Sequence, residues 1–559
     1  MLSTDQTSCT QTNVENIKNA LIDRIHESII GKDTQIKTPF GLRTLTYADY
    51  TASGRSLQFI EDAMLNYVLP FYANTHTEAN ATGQQTTAFR EQARQQIRQA
   101  THASDEEDLV LFCGSGATSA INTLITQLDL RTLTKDEKAN TYVFIGPYEH
   151  HSNELPWREL GANVIRIDES SEGGVCLNSL ENNLRKHQGK RLIGSFSAAS
   201  NVTGILCDQD AITSLLHQYN ALSFWDFAAA APYIDIDMNP IDNKKAHKDA
   251  LFFSTHKLVG GPGTPGVLIV KRAIIQNTTP STIGGGTVSF VTPDDHTFLP
   301  IGERREEGGT PAITESIRAG LVFQVKQSVG GKTIEEREHI WVQQTNQRWA
   351  KNSAIERLGH ATAPRLSITA FRIRTDYGYL HHGFVTALLN DLFGIQVRGG
   401  CSCAGPYGHK LLGINHQRSL RIQEALSHGE KLVKPGWVRF NLNYFLNQSD
   451  VDFILDAIDF IAKNGLTILP YYAYDQATDL WRFQGQETAC LALNNLFDCP
   501  TIPTEKNISS KASTFKKAYF EEAQNIMTNC QNNVYIKQNQ PFNTRYNDIR
   551  DFVLVEDIL

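Results

Sequence analysis

Apolar positions in this chain follow two periods. Between residues 13 and 30, Val14, Ile17, Ala20, Leu21 and Ile25 recur at helical spacing and predict a helix. From Asp108 onward, short apolar runs alternate with amphipathic segments. The runs 109–112, 141–145, 192–196, 221–225, 250–253 and 266–270 read as buried strands. After the first of them, Ile121, Leu124, Ile125 and Leu128 mark the buried face of a helix. A further helix is expected over 86–100. Strands alternating with helices predict a mostly parallel sheet covered by helices on both faces, an α/β architecture.

Near Pro364 the pattern restarts, with a strand at 366–373 and helices at 384–393 and 451–462. This predicts a smaller α+β domain. The expected organisation is an N-terminal helical segment over 1–45, a large domain over 46–330, a small domain over 331–468, and an extension over 469–559. Residues 407–436 are polar, with basic residues and histidines, and read as an insertion. In the extension, Tyr471, Tyr472, Tyr474 and Trp481 are available for packing, but no chemical motif appears.

Composition narrows the possible functions. A net charge of −8 without a Lys/Arg-rich run argues against nucleic-acid binding. No apolar run is long enough to cross a bilayer, and the polar first residues do not resemble a secretory signal. Nine cysteines without a repeating pattern suggest free thiols and a cytoplasmic setting. Cys401 and Cys403 form the one close pair and lack the second pair a structural zinc site needs, so no metal is expected.

The candidate chemistry centres on Ser254-Thr-His256-Lys257, set between the buried runs 250–253 and 266–270 and followed by a Gly/Pro-rich turn. A lysine between buried runs is costly to keep charged unless it is partnered or used. Ser-x-His-Lys before such a turn resembles the Schiff-base lysine segment of class V aminotransferase-fold enzymes, which use pyridoxal phosphate (PLP). The resemblance implies PLP as cofactor and fold type I, with a large domain built on a mostly parallel, seven-stranded type of sheet. It also implies that Lys257 bonds the PLP aldehyde while Ser254 and His256 reach its phosphate.

The other parts of such a site appear in family order over about 46–462. Gly114-Ser-Gly-Ala117-Thr118 lies between a strand and a helix, where backbone N–H groups can face an anion. Ala117 offers only a backbone N–H there, whereas Thr118 adds a hydroxyl. Asp226 ends an apolar run 31 positions before Lys257. By itself it reads equally well as a helix N-cap; by resemblance it partners the pyridine nitrogen. The family commonly has Gln three positions later, and this chain has Ala229. Glu149-His150-His151-Ser-Asn-Glu-Leu-Pro-Trp157 resembles the Glu-His-His-x-Asn-x-x-Pro-Trp of the cysteine desulfurase and selenocysteine lyase branch. There His150 would stack on PLP and exchange protons. Asn201, in Ser200-Asn-Val-Thr-Gly204, would lie near the 3′ oxygen or the substrate carboxylate. Thr287, after Gly284-Gly-Gly, matches a loop that family dimers lend to the partner's phosphate. Arg305-Glu-Glu-Gly-Gly-Thr310-Pro311 resembles a further family segment.

The branch is indicated by Val397-Arg398-Gly-Gly-Cys401-Ser-Cys403-Ala-Gly-Pro406, which resembles the catalytic-cysteine loop of desulfurases with a short cysteine loop. Cys403 takes the nucleophile's place, and Arg398 lies near the substrate. Arg439, in Trp437-Val-Arg-Phe, fits the clamp on the substrate α-carboxylate. His76 matches a substrate-pocket histidine, although Thr77 and Glu78 depart from the family's neighbours. The resemblance implies a homodimeric cysteine desulfurase or selenocysteine lyase acting on L-cysteine or L-selenocysteine, with a possible sulfur-acceptor protein. Other class V activities remain open: an amino-acid β-lyase, an epimerase, a cofactor sulfurase, or a PLP-binding scaffold without catalysis.

Overall fold

The apolar runs form one seven-stranded sheet in the computed structural model, which describes residues 4–75, 77–484, 486, 492–494, 512–532 and 542–558. Its strands are β1 (Asp108–Cys113), β2 (Thr141–Ile145), β3 (Asn163–Arg166), β4 (Arg191–Ser197), β5 (Leu222–Asp226), β6 (Ala250–Ser254) and β7 (Gly266–Lys271). Their order is β1-β7-β6-β5-β4-β2-β3, and only β7 runs against the rest. The expected mostly parallel sheet is thus present. β3 lacks a clear sequence signal because it is a half-buried edge strand with two apolar residues, Val164 and Ile165.

The described residues divide into two units, one over 1–30, 50–340 and 359–367, the other over 31–49, 341–358 and 368–559. In the first unit, α1 (Thr4–Glu27) ends before the expected residue 30, because Ile29 bridges to Leu57 instead. The helix α2 (Ala81–Ala100) begins one turn earlier than expected. Asn80 supplies the cap, its side chain accepting the Gly83 N–H at 2.8 Å. The helix α3 (Gly116–Gln127) buries Ile121, Leu124 and Ile125 against the sheet. It is joined by α4 (His151–Leu160), α5 (Gln209–Gln218) and α6 (Ile313–Val329). Helices α2 and α6 cross closely: a Cβ at Gly320 would lie 2.5 Å from the Ala93 Cα. Arg90 and Arg94 of α2 are buried but share Glu307, at 2.6 and 3.0 Å.

The second unit carries a five-stranded antiparallel sheet. Its strands β8 (Ile355–Arg357), β9 (Ile368–Thr375), β10 (Arg398–Gly400) and β11 (Trp437–Asn441) lie in the order β8-β9-β11-β10, with Gly378–Tyr379 added to β9. The helices α7 (His382–Phe393) and α10 (Gln448–Ile468) include the two expected helices and extend past them. The polar stretch 407–436 is ordered as α8 (Gly405–Leu411) and α9 (His416–Ser427). Ile414, Ile422, Ala425 and Val433 from this stretch bury Tyr546 and Ile549 from the chain's last described segment. The hairpin β12 (Tyr472–Asp475) and β13 (Leu480–Phe483) packs through the aromatics noted in the sequence. Tyr472 donates to Asp391 at 2.8 Å, and Trp481 donates to His381 at 3.0 Å. A helix α11 (Ala512–Asn532) completes the unit. Among the described residues, no helix is long and apolar enough to cross a membrane.

Candidate active site

Every candidate segment of the first unit's sheet follows the C-terminal end of a strand that runs in the common direction. Residues 114–118 follow β1, 146–151 follow β2, 198–201 follow β4, Asp226 ends β5, and Ser254 to Lys257 follow β6. Such ends of an open α/β sheet form the crevice where ligands bind.

The turn after β6 packs tightly against the turn after β1. Gly116 has φ +59°, and a Cβ there would lie 2.6 Å from the Ser254 Oγ. Gly266 must be equally small, since its Cβ would lie 2.1 Å from the Gly116 carbonyl oxygen. The backbone N–H of Ala117 donates to the Ser254 Oγ at 2.9 Å. That N–H is therefore spent on positioning Ser254, whose hydroxyl keeps its own proton to donate. The N-terminus of α3 adds its dipole. His256 stands beside the same turn. Burial lowers its pKa, and the neighbouring Lys257 charge adds to that. The Lys257 turn is anchored from below, as the Gly54 N–H donates to the His256 carbonyl at 2.8 Å. A Cβ on Gly54 would lie 1.9 Å from the Leu258 carbonyl oxygen.

Asp226 is buried, with no helix starting at it: 228–233 form turns. Its Oδ1 accepts the Ala228 N–H at 2.7 Å. Burial pushes its carboxyl above the ordinary range, opposed by that N–H and by the Lys257 charge. A buried carboxylate this sparsely satisfied suits a cationic partner. Ala229 is buried and brings no polar side chain there.

His150 caps α4. Its Nδ1 accepts the Ser152 N–H at 3.1 Å, and the Ser152 hydroxyl lies 2.6 Å from that of Thr118. Thr118 and His150 are thus joined through one serine. Asn201 is buried in a turn closed by the Ser200 Oγ, which accepts the N–H groups of Val202 and Thr203 at 3.1 Å. Thr287 is buried, and its hydroxyl donates to the Gly284 carbonyl at 2.7 Å. Gly284 and Gly285 ahead of it are exposed. Arg305 is a structural residue: its guanidinium is spent on Glu306, Gln127 and the carbonyls of Asn277 and Thr278.

Sequence reasoning passed over Glu149, although it lies in the quoted segment. It is buried and accepts four hydrogen bonds: from the Gly146 N–H (3.1 Å), the Ser197 N–H (2.9 Å) and hydroxyl (2.6 Å), and the Asn153 amide (2.5 Å). These favour the carboxylate, whereas burial and the nearby Asp226 charge oppose it. Burial wins and pushes Glu149 up to about 7. A raised carboxyl pKa stabilises the fold fully below the unfolded value near 4.5, and that contribution is lost as pH rises through 7. The stability advantage of wild type over Glu149→Gln is therefore expected to shrink by about 3 kcal/mol between those pH values. Urea unfolding of both proteins across the window measures it, and a constant difference would refute it.

In the second unit, Arg398 and Arg439 converge on a residue the sequence reading did not single out. Arg439 Nη2 lies 3.0 Å from one oxygen of Asp49, and Arg398 Nε lies 3.3 Å from the other. Arg439 is buried and Arg398 is about half exposed. Asp49 is the one acidic residue of Tyr47-Ala-Asp-Tyr50, a segment near the start of the family-like region.

Cys403 is exposed at the tip of a tight turn between β10 and α8. The Ala404 N–H donates to the Cys401 carbonyl at 3.2 Å, and both central residues are left-handed, Ser402 at φ +53° and Cys403 at +55°. Left-handed non-glycine residues cost on the order of 1 kcal/mol or more each. Such strain concentrates where a side chain must be displayed. Cys401 and Cys403 are both free thiols. Cys401 also lines a cavity of about 840 Å³ walled by Trp437, Leu480, Trp481 and Phe483. His76 lies outside the described residues.

Several known proteins are similar to this chain in sequence or in fold. A probable cysteine desulfurase of Halalkalibacterium halodurans is 28% identical over 366 residues, 65% of this chain and 84% of that protein. One from Vibrio cholerae is also 28% identical, over 65% of this chain and 85% of its own. The apo structure of a cysteine desulfurase from Thermococcus onnurineus shares the fold, with a TM-score of 0.62 at 24% identity over 75% of this chain and 95% of its own. An Escherichia coli cysteine desulfurase gives a TM-score of 0.60 at 22% identity, covering 75% and 94%. The model of the aminotransferase class-V family, a PLP-dependent family, matches residues 46–454, and the chain belongs to that family.

Proposed function

We propose that this protein is a PLP-dependent cysteine desulfurase, which moves the sulfur of L-cysteine to Cys403 and releases L-alanine. L-selenocysteine, with the same skeleton, is the alternative substrate. The observation that carries the reading is the turn that displays Cys403: an exposed thiol held out by two consecutive left-handed residues. The cysteine desulfurases among the relatives support it.

The residues of the first unit fit the cofactor. Lys257 would hold its aldehyde carbon, Asp226 its ring nitrogen, and Ser254, His256 and the α3 N-terminus its phosphate. Thr118, His150 and Asn201 would line it, and the loop of exposed Gly284 and Gly285, which the buried Thr287 braces, would serve the partner's phosphate in a homodimer. When bound, PLP supplies an electron sink for bond changes next to the substrate nitrogen. Lys257, beside a buried carboxylate, is placed to move a proton on and off the substrate carbon. Asp226, raised by burial, would gain an ionic partner there and hold the ring nitrogen's proton. Arg439 and Arg398 would bind the substrate carboxylate, and the Cys403 thiolate would attack the substrate sulfur. The sulfur–carbon bond breaks, a sulfur–sulfur bond forms on Cys403, and the carbon takes up a proton to become alanine.

Asp49 then acts as a positioning residue for Arg439. Asp49→Asn removes the charge that orients a buried guanidinium. KM for L-cysteine is expected to rise about tenfold, a loss of about 1.4 kcal/mol, while kcat moves much less. Steady-state kinetics checks this, and an unchanged KM would remove Asp49 from the argument.

The reading is tested by incubating PLP-loaded protein with L-cysteine and a thiol reductant, then measuring alanine and sulfide. Equal amounts of both are expected. Sulfide with pyruvate and ammonia instead would mark a β-lyase, and no product would mark a scaffold.

A further inference from the structure

We propose that His217, His247 and Asp249 form a binding site for a divalent transition-metal ion, with zinc as the ion that best suits it. The three side chains lie in the first unit, at the opposite end of β6 from Lys257. His217 sits in the last turn of α5, and His247 and Asp249 lie just ahead of β6. One potential ligand atom from each residue lies within 4.8 Å of the other two. His217 Nε2 is 3.0 Å from one Asp249 oxygen, and His247 Nε2 is 4.0 Å from the other.

The hydrogen bonds behind the rings decide what the front can do. His217 Nδ1 faces the Lys245 carbonyl at 2.7 Å, and His247 Nδ1 faces the Lys244 carbonyl at 2.8 Å. A carbonyl only accepts, so each Nδ1 carries its hydrogen. In the neutral rings each Nε2 then keeps a lone pair near the Asp249 carboxylate, 3.0 Å from it for His217 and 4.0 Å for His247, and the two rings stack with centroids 4.4 Å apart. A single divalent ion satisfies all three groups at once.

The surroundings match a metal site in other respects. Anchoring of each Nδ1 on a backbone carbonyl is the outer-shell arrangement usual for metal-bound histidine. Asp249 is fixed by the Ser223 N–H, which donates to its Oδ2 at 2.8 Å. Two imidazoles and one carboxylate leave a fourth position for water, a set that suits Zn²⁺. Zinc–ligand distances of about 2.0–2.2 Å require the ligand atoms to draw closer, and His247, 41% exposed, has room to rotate. Lys244 and Lys245 oppose a cation, but both are exposed and screened by solvent. Lys248 points away, toward Asp210 and the Asp237 carbonyl. A bound ion would clip the end of α5 to the start of β6, whose far end carries Ser254 and the Lys257 turn.

The test is calorimetric titration of Zn²⁺ into chelator-treated full-length protein, paired with thermal melting. Wild type is expected to bind one equivalent at this site and to melt at a higher temperature with the ion. His247→Ala, at a partly exposed position, should weaken binding at least tenfold and lose the melting shift, and His217→Ala should do the same. A double variant with Cys401 and Cys403 both changed to serine should keep the site. No binding to wild type, equal binding to His247→Ala, or zinc lost with the cysteines instead would overturn the proposal.

Discussion

Lys257→Ala is expected to abolish the visible absorbance that PLP confers on the wild type and to lower turnover of L-cysteine at least about 10⁴-fold, a loss of about 5 kcal/mol in the barrier. No other amine in the described first unit combines this turn with a buried carboxylate whose pKa its charge pulls down. The truncation should not unfold the protein, because the backbone bond from Gly54 to His256, which holds the turn, remains in the variant. Two electrostatic consequences follow. Asp226 loses the opposing charge and rises further, and His256 loses a repulsive neighbour and rises toward its ordinary value. Absorption spectra with added PLP, coupled assays for alanine, and an NMR titration of His256 read these separately. A Lys257→Ala protein that keeps its colour and its turnover would move the chemistry to another lysine.

The sheet was legible because its strands are continuous apolar runs, and burial on both faces tolerates little else. Strand β3 was missed for the converse reason: an edge strand of Asn-Val-Ile-Arg carries too little apolar pattern. Single residues such as Lys257, Asp226 and Cys403 could be singled out from their local motifs, and the fold sets Asp226 and Lys257 at strand ends. Groups that act through a second residue could not. Ala117 was read as an anion donor, yet its N–H serves Ser254. Asp49 lies 390 positions before Arg439 and meets it only in the folded chain. Glu149 looks like half of a Glu-His motif until the fold places Ser197 and Asn153 against it. The ordered helices of 407–436 escaped notice because their cluster is completed by Tyr546 and Ile549, more than a hundred residues on.

Cys403→Ser is expected to keep PLP binding and the spectral change on adding L-cysteine, while alanine formation falls at least about 10³-fold, roughly 4 kcal/mol. A hydroxyl is a far weaker nucleophile toward sulfur at neutral pH than a thiolate, and it cannot store the sulfur as a persulfide. Serine has nearly the same size and can take the same left-handed φ of +55°, so the turn and its Ala404–Cys401 hydrogen bond should persist. This makes the loss chemical rather than structural, and unchanged urea unfolding is the control. Cys401→Ser should be milder, since Cys401 lines the neighbouring cavity instead of occupying the tip. It retains the option of resolving a persulfide on Cys403 by exchange. Mass spectrometry of the peptide containing Cys403 should show one added sulfur atom after reaction with L-cysteine, absent in Cys403→Ser. L-selenocysteine provides the contrast, because a selenol leaves more readily and needs less help from a nucleophile. The variant should therefore retain more of its activity on selenium than on sulfur. Full activity of Cys403→Ser on L-cysteine would end the desulfurase reading and leave a β-lyase or epimerase built on Lys257 and Asp226.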